Sequence, residues 1–131
     1  LEPTCVALIK LFPGITQKYL EHILATPGLR AVVLETYGSG NAPTASWFLQ
    51  AIINAMKRDV IFYNVSQCNG GRVIQGSYVT SRHLQEAGVI SGLDITTEAA
   101  LSKMLFLFSK YQNKREIGAA LATPLRGEMG R

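Results

Sequence analysis

The residues best suited to chemistry lie in two polar, glycine-rich loops that each follow an apolar stretch. The first loop, residues 37–43, contains a Gly-Ser-Gly-Asn run from Gly38 to Asn41, and the asparagine side chain offers both hydrogen-bond donors and an acceptor. The dinucleotide pattern Gly-x-Gly-x-x-Gly is broken because Pro43 stands at its last position. This loop therefore suits a small zwitterionic or amide ligand better than a pyrophosphate, although glycines at a strand end also serve simply to turn the chain.

The second loop, residues 66–71, places Cys68 among polar neighbours. A nucleophilic cysteine needs a base, and no known pattern joins Cys68 to His83, which is the nearest histidine in the sequence. Cys5 and Cys68 are too few for a disulfide framework, and the sequence lacks the spacing of metal ligands. We therefore expect no catalytic cysteine, no metal and no other cofactor, and the cysteine content fits a reducing cytoplasm best.

The composition is that of a globular domain with a hydrophobic core. The 131 residues are 47% apolar and 17% charged, which fits one domain and leaves little room for two. Apolar runs such as residues 104–108 are far too short to span a bilayer, and no secretion signal is recognisable. The net charge of +4 is spread over lysines and arginines near predicted helix ends, which disfavours a nucleic-acid partner, and we expect no membrane contact.

Apolar periodicity alternates between strands and helices along the chain. Continuous apolar runs predict buried strands at residues 5–12, 31–36 and 60–65. A helix is predicted after Thr16 as N-cap, with one face made of Tyr19, Leu20, Ile23 and Leu24. The other predicted helices cover residues 44–58, 80–87, from Thr96 as cap to about residue 111, and 114–121, while residues 89–90 form a short strand or an extended turn.

This alternation predicts a parallel sheet with helices on both faces, because strands that read as continuous apolar runs are buried on two sides. The predicted fold class is α/β: a three-layer α/β/α sandwich with a small, mainly parallel sheet, of the Rossmann or flavodoxin-like kind. Right-handed crossovers place the loops that follow the strands at one edge of such a sheet, where ligands bind. The first and second loops are accordingly the predicted functional loops.

Five segments, spread in order over nearly the whole chain, carry a family resemblance. They read Lys-Leu-Phe-Pro-Gly-Ile (10–15), Val-Val-Leu-Glu-Thr-Tyr-Gly-Ser-Gly-Asn-Ala-Pro (32–43), Asn-Val-Ser-Gln-Cys-Asn-Gly-Gly (64–71), Ala-Gly-Val-Ile-Ser-Gly-Leu-Asp-Ile-Thr-Thr-Glu-Ala-Ala (87–100) and Leu-Arg-Gly-Glu (125–128). Together they resemble the C-terminal domain of the asparaginase/glutaminase family. The Gln-Cys and Leu-Arg-Gly-Glu elements resemble its type I, cytoplasmic branch more than the periplasmic type II branch, and the predicted domain covers residues 1–131.

The resemblance implies one part of a two-domain hydrolase that converts L-asparagine to L-aspartate and ammonia. In the family, an activated threonine attacks the substrate with the support of a Thr-Asp-Lys group, and both belong to the N-terminal domain. This sequence has no Thr-Gly-Gly-Thr or Gly-Thr-Asp-Thr run, so we expect no catalytic residue in this chain and no activity from it alone. Its start at Leu1, just before Pro3, fits a cut at a domain boundary. The implied partners are the N-terminal catalytic domain, further subunits of a homodimer or homotetramer, and L-asparagine.

Carried over position by position, the resemblance assigns two sets of site residues. The residues that complete the active site of the neighbouring subunit are Gly38, Gly40 and Asn41. The residues that match an effector site for asparagine in regulated type I members are Tyr37, Asn41, Ser66 and Cys68. Glu35 stands where some regulated members have a basic residue, and its charge would repel the effector carboxylate. Ser66 also replaces a more usual threonine.

Two other functions remain open. The asparaginase-like subunit of the archaeal amidotransferase that forms glutaminyl-tRNA shares the fold, although the diffuse basic charge gives a tRNA partner little support. A binding, oligomerisation or effector-sensing module is the other alternative. A threonine-bearing domain upstream would indicate the hydrolase, and an additional amidotransferase-type module would indicate the tRNA pathway.

Overall fold

Strands and helices alternate along the chain in the order that the apolar periodicity predicts. The computed structural model describes residues 5–37, 43–67, 79–124 and 128–129. In chain order the elements are β1 (Cys5–Lys10), α1 (Gln17–Leu24), β2 (Leu29–Thr36), α2 (Ser46–Met56), β3 (Ile61–Ser66), α3 (Val79–Ala87), β4 (Ile90–Ser91), α4 (Thr97–Lys110) and α5 (Lys114–Leu121). Every predicted element is present. Within the described ranges, no helix is both long enough and apolar enough to cross a membrane.

Side-chain caps explain where three of the helices begin. Thr16 Oγ1 accepts the backbone N–H of Tyr19 at 3.2 Å, and Thr96 Oγ1 accepts that of Ala99 at 3.2 Å. Asn113 Oδ1 does the same for α5, accepting a backbone N–H at 2.7 Å. Each bond satisfies one of the N–H groups that lack a partner inside the helix. The caps predicted at Thr16 and Thr96 are therefore confirmed.

The four strands form one parallel sheet in the order β1-β2-β3-β4. The register pairs Lys10 with Glu35 and Thr36 with Ser66, so β1, β2 and β3 end at the same edge. Neighbouring parallel strands need a crossover on one face of the sheet, and α1, α2 and α3 are those crossovers. The predicted parallel sheet is confirmed, while its sequential strand order is a finding of the structure.

Two apolar cores lie on opposite faces of the sheet. The first core lies between the sheet and α1–α3, and its fully buried side chains include Ile9, Leu20, Val32, Leu34, Phe48, Ile52, Phe62 and Leu84. The second core lies between the other face and α4–α5, and its buried side chains include Val33, Tyr63, Val65, Met104, Leu107, Ile117 and Leu121. The predicted three-layer arrangement is therefore confirmed.

Tyr19, which the periodicity places on one face of α1 with Leu20, Ile23 and Leu24, lies outside the core. Its side chain is 50% exposed and packs edge-on against the ring of Phe12, with the ring centroids 5.8 Å apart. Leu20 and Leu24 fill the first core instead. Helix α1 has only eight residues and buries a narrow stripe, so the residue next to Leu20 lies at the margin of that stripe.

A buried ion pair anchors the end of the chain to the second core. Lys103 Nζ lies 2.7 Å from Glu128 Oε2 and donates to the carbonyl oxygens of Leu121 at 3.0 Å and Thr123 at 2.8 Å. The Tyr63 hydroxyl donates to the same Leu121 oxygen at 2.7 Å. Burial, and then the charge of Glu128, raises the pKa of Tyr63 well above its ordinary range. Glu128, the glutamate of the Leu-Arg-Gly-Glu segment, is thus bound by the buried Lys103.

Candidate functional site

The described part of the candidate site lies at the carboxyl edge of the sheet. Thr36 and Ser66 end β2 and β3 and are partners in the parallel register, so the first and second loops leave the sheet side by side. Tyr37 is half-buried and packs against the first core, whereas Ser66 is buried. The other predicted site residues lie outside the described residues: Gly38, Gly40, Asn41 and Cys68.

A fully buried polar pair lies at the ends of these two strands. The hydroxyl of Thr36 donates to Asn64 Oδ1 at 2.5 Å, and neither side chain is accessible to solvent. Asn64 interrupts the mostly apolar strand β3, and Thr36 is the last residue of β2. Because a buried polar group costs free energy unless it is hydrogen-bonded, the pair is stable only while β2 and β3 stay in this register. It therefore fixes the two strand ends relative to each other.

Gln67 joins three strand ends at once. Its backbone N–H donates to the carbonyl oxygen of Thr36 at 3.1 Å. Its side-chain Nε2 donates to the carbonyl oxygens of Leu11, just past β1, at 2.5 Å and of Glu35, near the end of β2, at 3.0 Å. The sequence shows Gln67 only as one of the polar residues of the second loop, because its partners lie far away in the chain.

Glu35 directs its carboxylate to the start of α4. Glu35 Oε1 accepts the hydroxyl of Thr97, the first residue of that helix, at 2.8 Å. A carboxylate at a helix N-terminus is stabilised by the helix dipole. Since like charges repel, this carboxylate disfavours an anionic group bound at the end of β2.

A close backbone approach at Gly92 holds the segment before α4 against β3. The Gly92 N–H donates to the carbonyl oxygen of Asn64 at 2.8 Å. A Cβ atom on Gly92 would lie 2.8 Å from Ile95 Cγ2 and 3.0 Å from that same oxygen. Only glycine fits there without displacement, so the motif formed by residues 87–100 has a packing reason within this chain.

The histidine, cysteine and carboxylate side chains of the described ranges form no group of three that could hold a metal ion. His22 on α1 and His83 on α3 are both exposed, and Cys5 is a half-buried free thiol. What this edge of the sheet provides is precise placement of backbone and hydrogen-bonding groups.

Two surface pockets lie between the crossover helices. One of about 310 Å³ lies between α2 and α3 and includes His83, and another of about 430 Å³ lies between α1 and α2 and includes Arg58. Among the described residues, those at the ends of β2 and β3 line neither pocket. Neither pocket therefore adds a group to the strand ends at which the first and second loops begin.

The matches between this chain and known proteins cover nearly all of its residues. The model of the glutaminase/asparaginase C-terminal domain matches residues 5–121. L-asparaginase 1 of Escherichia coli is 36% identical over 129 residues, which cover 98% of this chain and 38% of that protein. A glutamyl-tRNA(Gln) amidotransferase polypeptide of Sulfolobus acidocaldarius is 35% identical, and the match covers 95% of this chain and 27% of that protein.

The fold agrees with a solved member of the same group. The crystal structure of L-asparaginase I from Vibrio cholerae superimposes with a TM-score of 0.89 at 40% identity, covering 96% of this chain and 38% of that one. The chain thus spans well under half the length of the asparaginases that it matches. The sequence motifs, the parallel sheet and these matches agree, and the chain belongs to the glutaminase/asparaginase C-terminal domain family.

Proposed function

We propose that this chain is the C-terminal domain of an L-asparaginase, an amidohydrolase that converts L-asparagine to L-aspartate and ammonia. The observation that carries the proposal is the match of 98% of the chain to 38% of E. coli L-asparaginase 1. The chain acts as a single domain over residues 1–131 of a two-domain protein. The N-terminal catalytic domain supplies the reactive threonines that this sequence lacks, so the chain alone is inactive.

The role of this domain is to complete the active site of a neighbouring subunit in a homodimer or homotetramer. We assign Gly38, Gly40 and Asn41 of the first loop to this role, because the asparagine side chain offers both hydrogen-bond donors and an acceptor. The support for this role is the rigid edge from which the loop departs. Thr36 is held by both Asn64 and Gln67, and a functional loop needs such an anchored start.

An asparagine-sensing role for Tyr37, Asn41, Ser66 and Cys68 is the weaker candidate. The ligand would bring a carboxylate to the end of β2, where Glu35 already holds a negative charge at the N-terminus of α4. An arginine at position 35 would bind such a carboxylate through two hydrogen bonds, whereas a glutamate repels it.

A tRNA-dependent amidotransferase is the second candidate enzyme, supported by the 35% identity to the S. acidocaldarius protein. A tRNA partner needs a clustered array of cations, whereas the net charge of +4 is spread along this chain. The match to E. coli L-asparaginase 1 also covers more of both proteins, 98% of this chain and 38% of that protein against 95% and 27% for the amidotransferase. The asparaginase assignment therefore has the better support.

We place the protein in the cytoplasm. Two cysteines in 131 residues, with Cys5 a free thiol, suit a reducing compartment in which no disulfide framework forms.

Ammonia release from L-asparagine tests the proposal directly. The full-length protein should hydrolyse asparagine, and this chain by itself should not. Asn41→Ala in the full-length protein should lower kcat/KM more than Cys68→Ala, because only Asn41 is assigned to the catalytic site. Saturable hydrolysis by the isolated chain, or equal losses in the two variants, would contradict the division of roles.

A further inference from the structure

The side-chain amide of Gln67 uses both of its N–H donors on backbone carbonyls of two different strands. A glutamine amide carries two donors on one nitrogen. Here Nε2 reaches the Leu11 oxygen at 2.5 Å and the Glu35 oxygen at 3.0 Å, which are 56 and 32 residues away in the chain. A single side chain thereby links β1 and β2 to the end of β3.

This amide extends the sheet beyond its regular ladder. The Leu11 N–H donates to the Glu35 oxygen at 3.0 Å, and the Gln67 N–H donates to the Thr36 oxygen at 3.1 Å. The Gln67 side chain then adds the donor for the Leu11 oxygen and a second donor for the Glu35 oxygen. Three strand ends are thereby tied together at the point where the regular pairing stops.

Both functional loops start at this junction. The first loop begins one residue after Thr36, whose carbonyl accepts the Gln67 N–H, and Gln67 is itself the second residue of the second loop. A shift of the Gln67 side chain therefore moves the starts of both loops together. Small displacements matter at a catalytic site, where a misplacement of about 1 Å costs roughly a hundredfold in rate.

We propose that Gln67 is a positioning residue that holds the first and second loops in register for the asparaginase reaction. It acts through the backbone of Glu35 and Thr36 and does not touch the substrate. The proposal rests on the proposed function, in which the first loop completes a neighbouring active site. A glutamine is required because its amide donates twice, whereas a carboxylate of the same shape donates nothing and faces two carbonyl oxygens.

The test compares three variants of the full-length protein. Gln67→Glu keeps the shape and removes the donors, and Gln67→Met keeps the length without adding charge. Gln50→Glu is the matched control, because Gln50 donates to Asn54 at 2.9 Å on the exposed face of α2. With rates expressed per folded molecule, both Gln67 variants should lose about ten- to a hundredfold in kcat, with KM changed by less than about threefold. Gln50→Glu should keep kcat within about twofold.

Amide hydrogen exchange separates this inference from the proposed function. In both Gln67 variants the amides of residues 36–42 and 66–71 should exchange faster than in wild type, while those of α5 stay protected. This readout holds even if the wild-type protein fails to hydrolyse asparagine, a result that would refute the proposed function alone. Unchanged kcat and unchanged loop exchange in folded Gln67→Met protein would overturn the positioning role. Equal loss of protection in the loops and in α5 would also overturn it, because it would show a role in global stability only.

Discussion

Replacing Lys103 with methionine is expected to destabilise this chain strongly. Methionine keeps an apolar stem of similar length but removes the ammonium group that bonds to Leu121, Thr123 and Glu128. The Lys103 side chain is 3% exposed and that of Glu128 is 16% exposed, so solvent compensates little for the loss. Breaking a buried ion pair by removing one partner costs about 3–5 kcal/mol. Because Glu128 keeps some contact with water, we expect the lower end, about 3 kcal/mol.

Urea unfolding followed by far-ultraviolet circular dichroism measures this change. With a slope of about 1.5 kcal/mol/M, a loss of about 3 kcal/mol lowers the unfolding midpoint by about 2 M. Lys18→Met is the matched control on the exposed side of α1 and should change stability by less than about 0.5 kcal/mol.

A double-mutant cycle with Glu128→Gln isolates the ion pair from the rest of the site. Residues in direct contact couple by about 0.5–3 kcal/mol, and a pair 2.7 Å apart with this burial should lie in the upper half of that range. A loss of less than about 1 kcal/mol in Lys103→Met, or a coupling energy near zero, would refute the reasoning, because it would mean that the end of the chain is not held by this ion pair.

Three further predictions address the second core, the turn before α4 and the loops. Burial raises the pKa of Tyr63, so the neutral phenol contributes fully to stability below pH 10.0, the ordinary value. As the pH rises above that value, the free energy of unfolding should fall by up to about 1.4 kcal/mol per pH unit. Tyr63→Phe should remove that part of the slope in urea unfolding at alkaline pH, and an unchanged slope would contradict the assignment. Gly92→Ala should lower the free energy of unfolding by about 1–3 kcal/mol, because the new Cβ meets the backbone oxygen of Asn64. Gly118→Ala is the control: its nearest contact is the end of the Ile90 side chain at 3.3 Å, and it should change stability by less than about 1 kcal/mol. Equal effects of the two substitutions would show that the turn at Gly92 relaxes. Millimolar L-asparagine should not raise the melting temperature of this chain, and a saturable rise would establish the effector site that Glu35 disfavours.

Local signals explain why the order of strands and helices was predictable. Continuous apolar runs mark β1, β2 and β3, and the hydroxyls of Thr16 and Thr96 cap α1 and α4 as predicted. These signals act within a few residues along the chain, so they do not depend on the rest of the fold. Tyr19 shows their limit, since a helical stripe does not reveal how wide a strip the core will cover.

The contacts that shape the candidate site were not readable in the same way. The sequence places Gln67 in a polar loop but does not show that Leu11 and Glu35 will be its partners. Asn64 stands as a polar residue within the apolar strand β3, and Thr36 ends β2, which is a usable signal for a buried pair. Periodicity could not assign them to each other, because pairing across strands depends on register.

By itself, the sequence determined the α/β class, the succession of elements and the family, because apolar periodicity, caps and motifs are properties of short segments. The tertiary structure decided the sequential strand order, the division of the helices between two faces, and the meeting of Lys103 with Glu128 and of Gln67 with two other strands. Those outcomes join residues tens of positions apart. They follow from the packing of whole elements, in which a buried charge or amide is stable only where the fold brings it a partner.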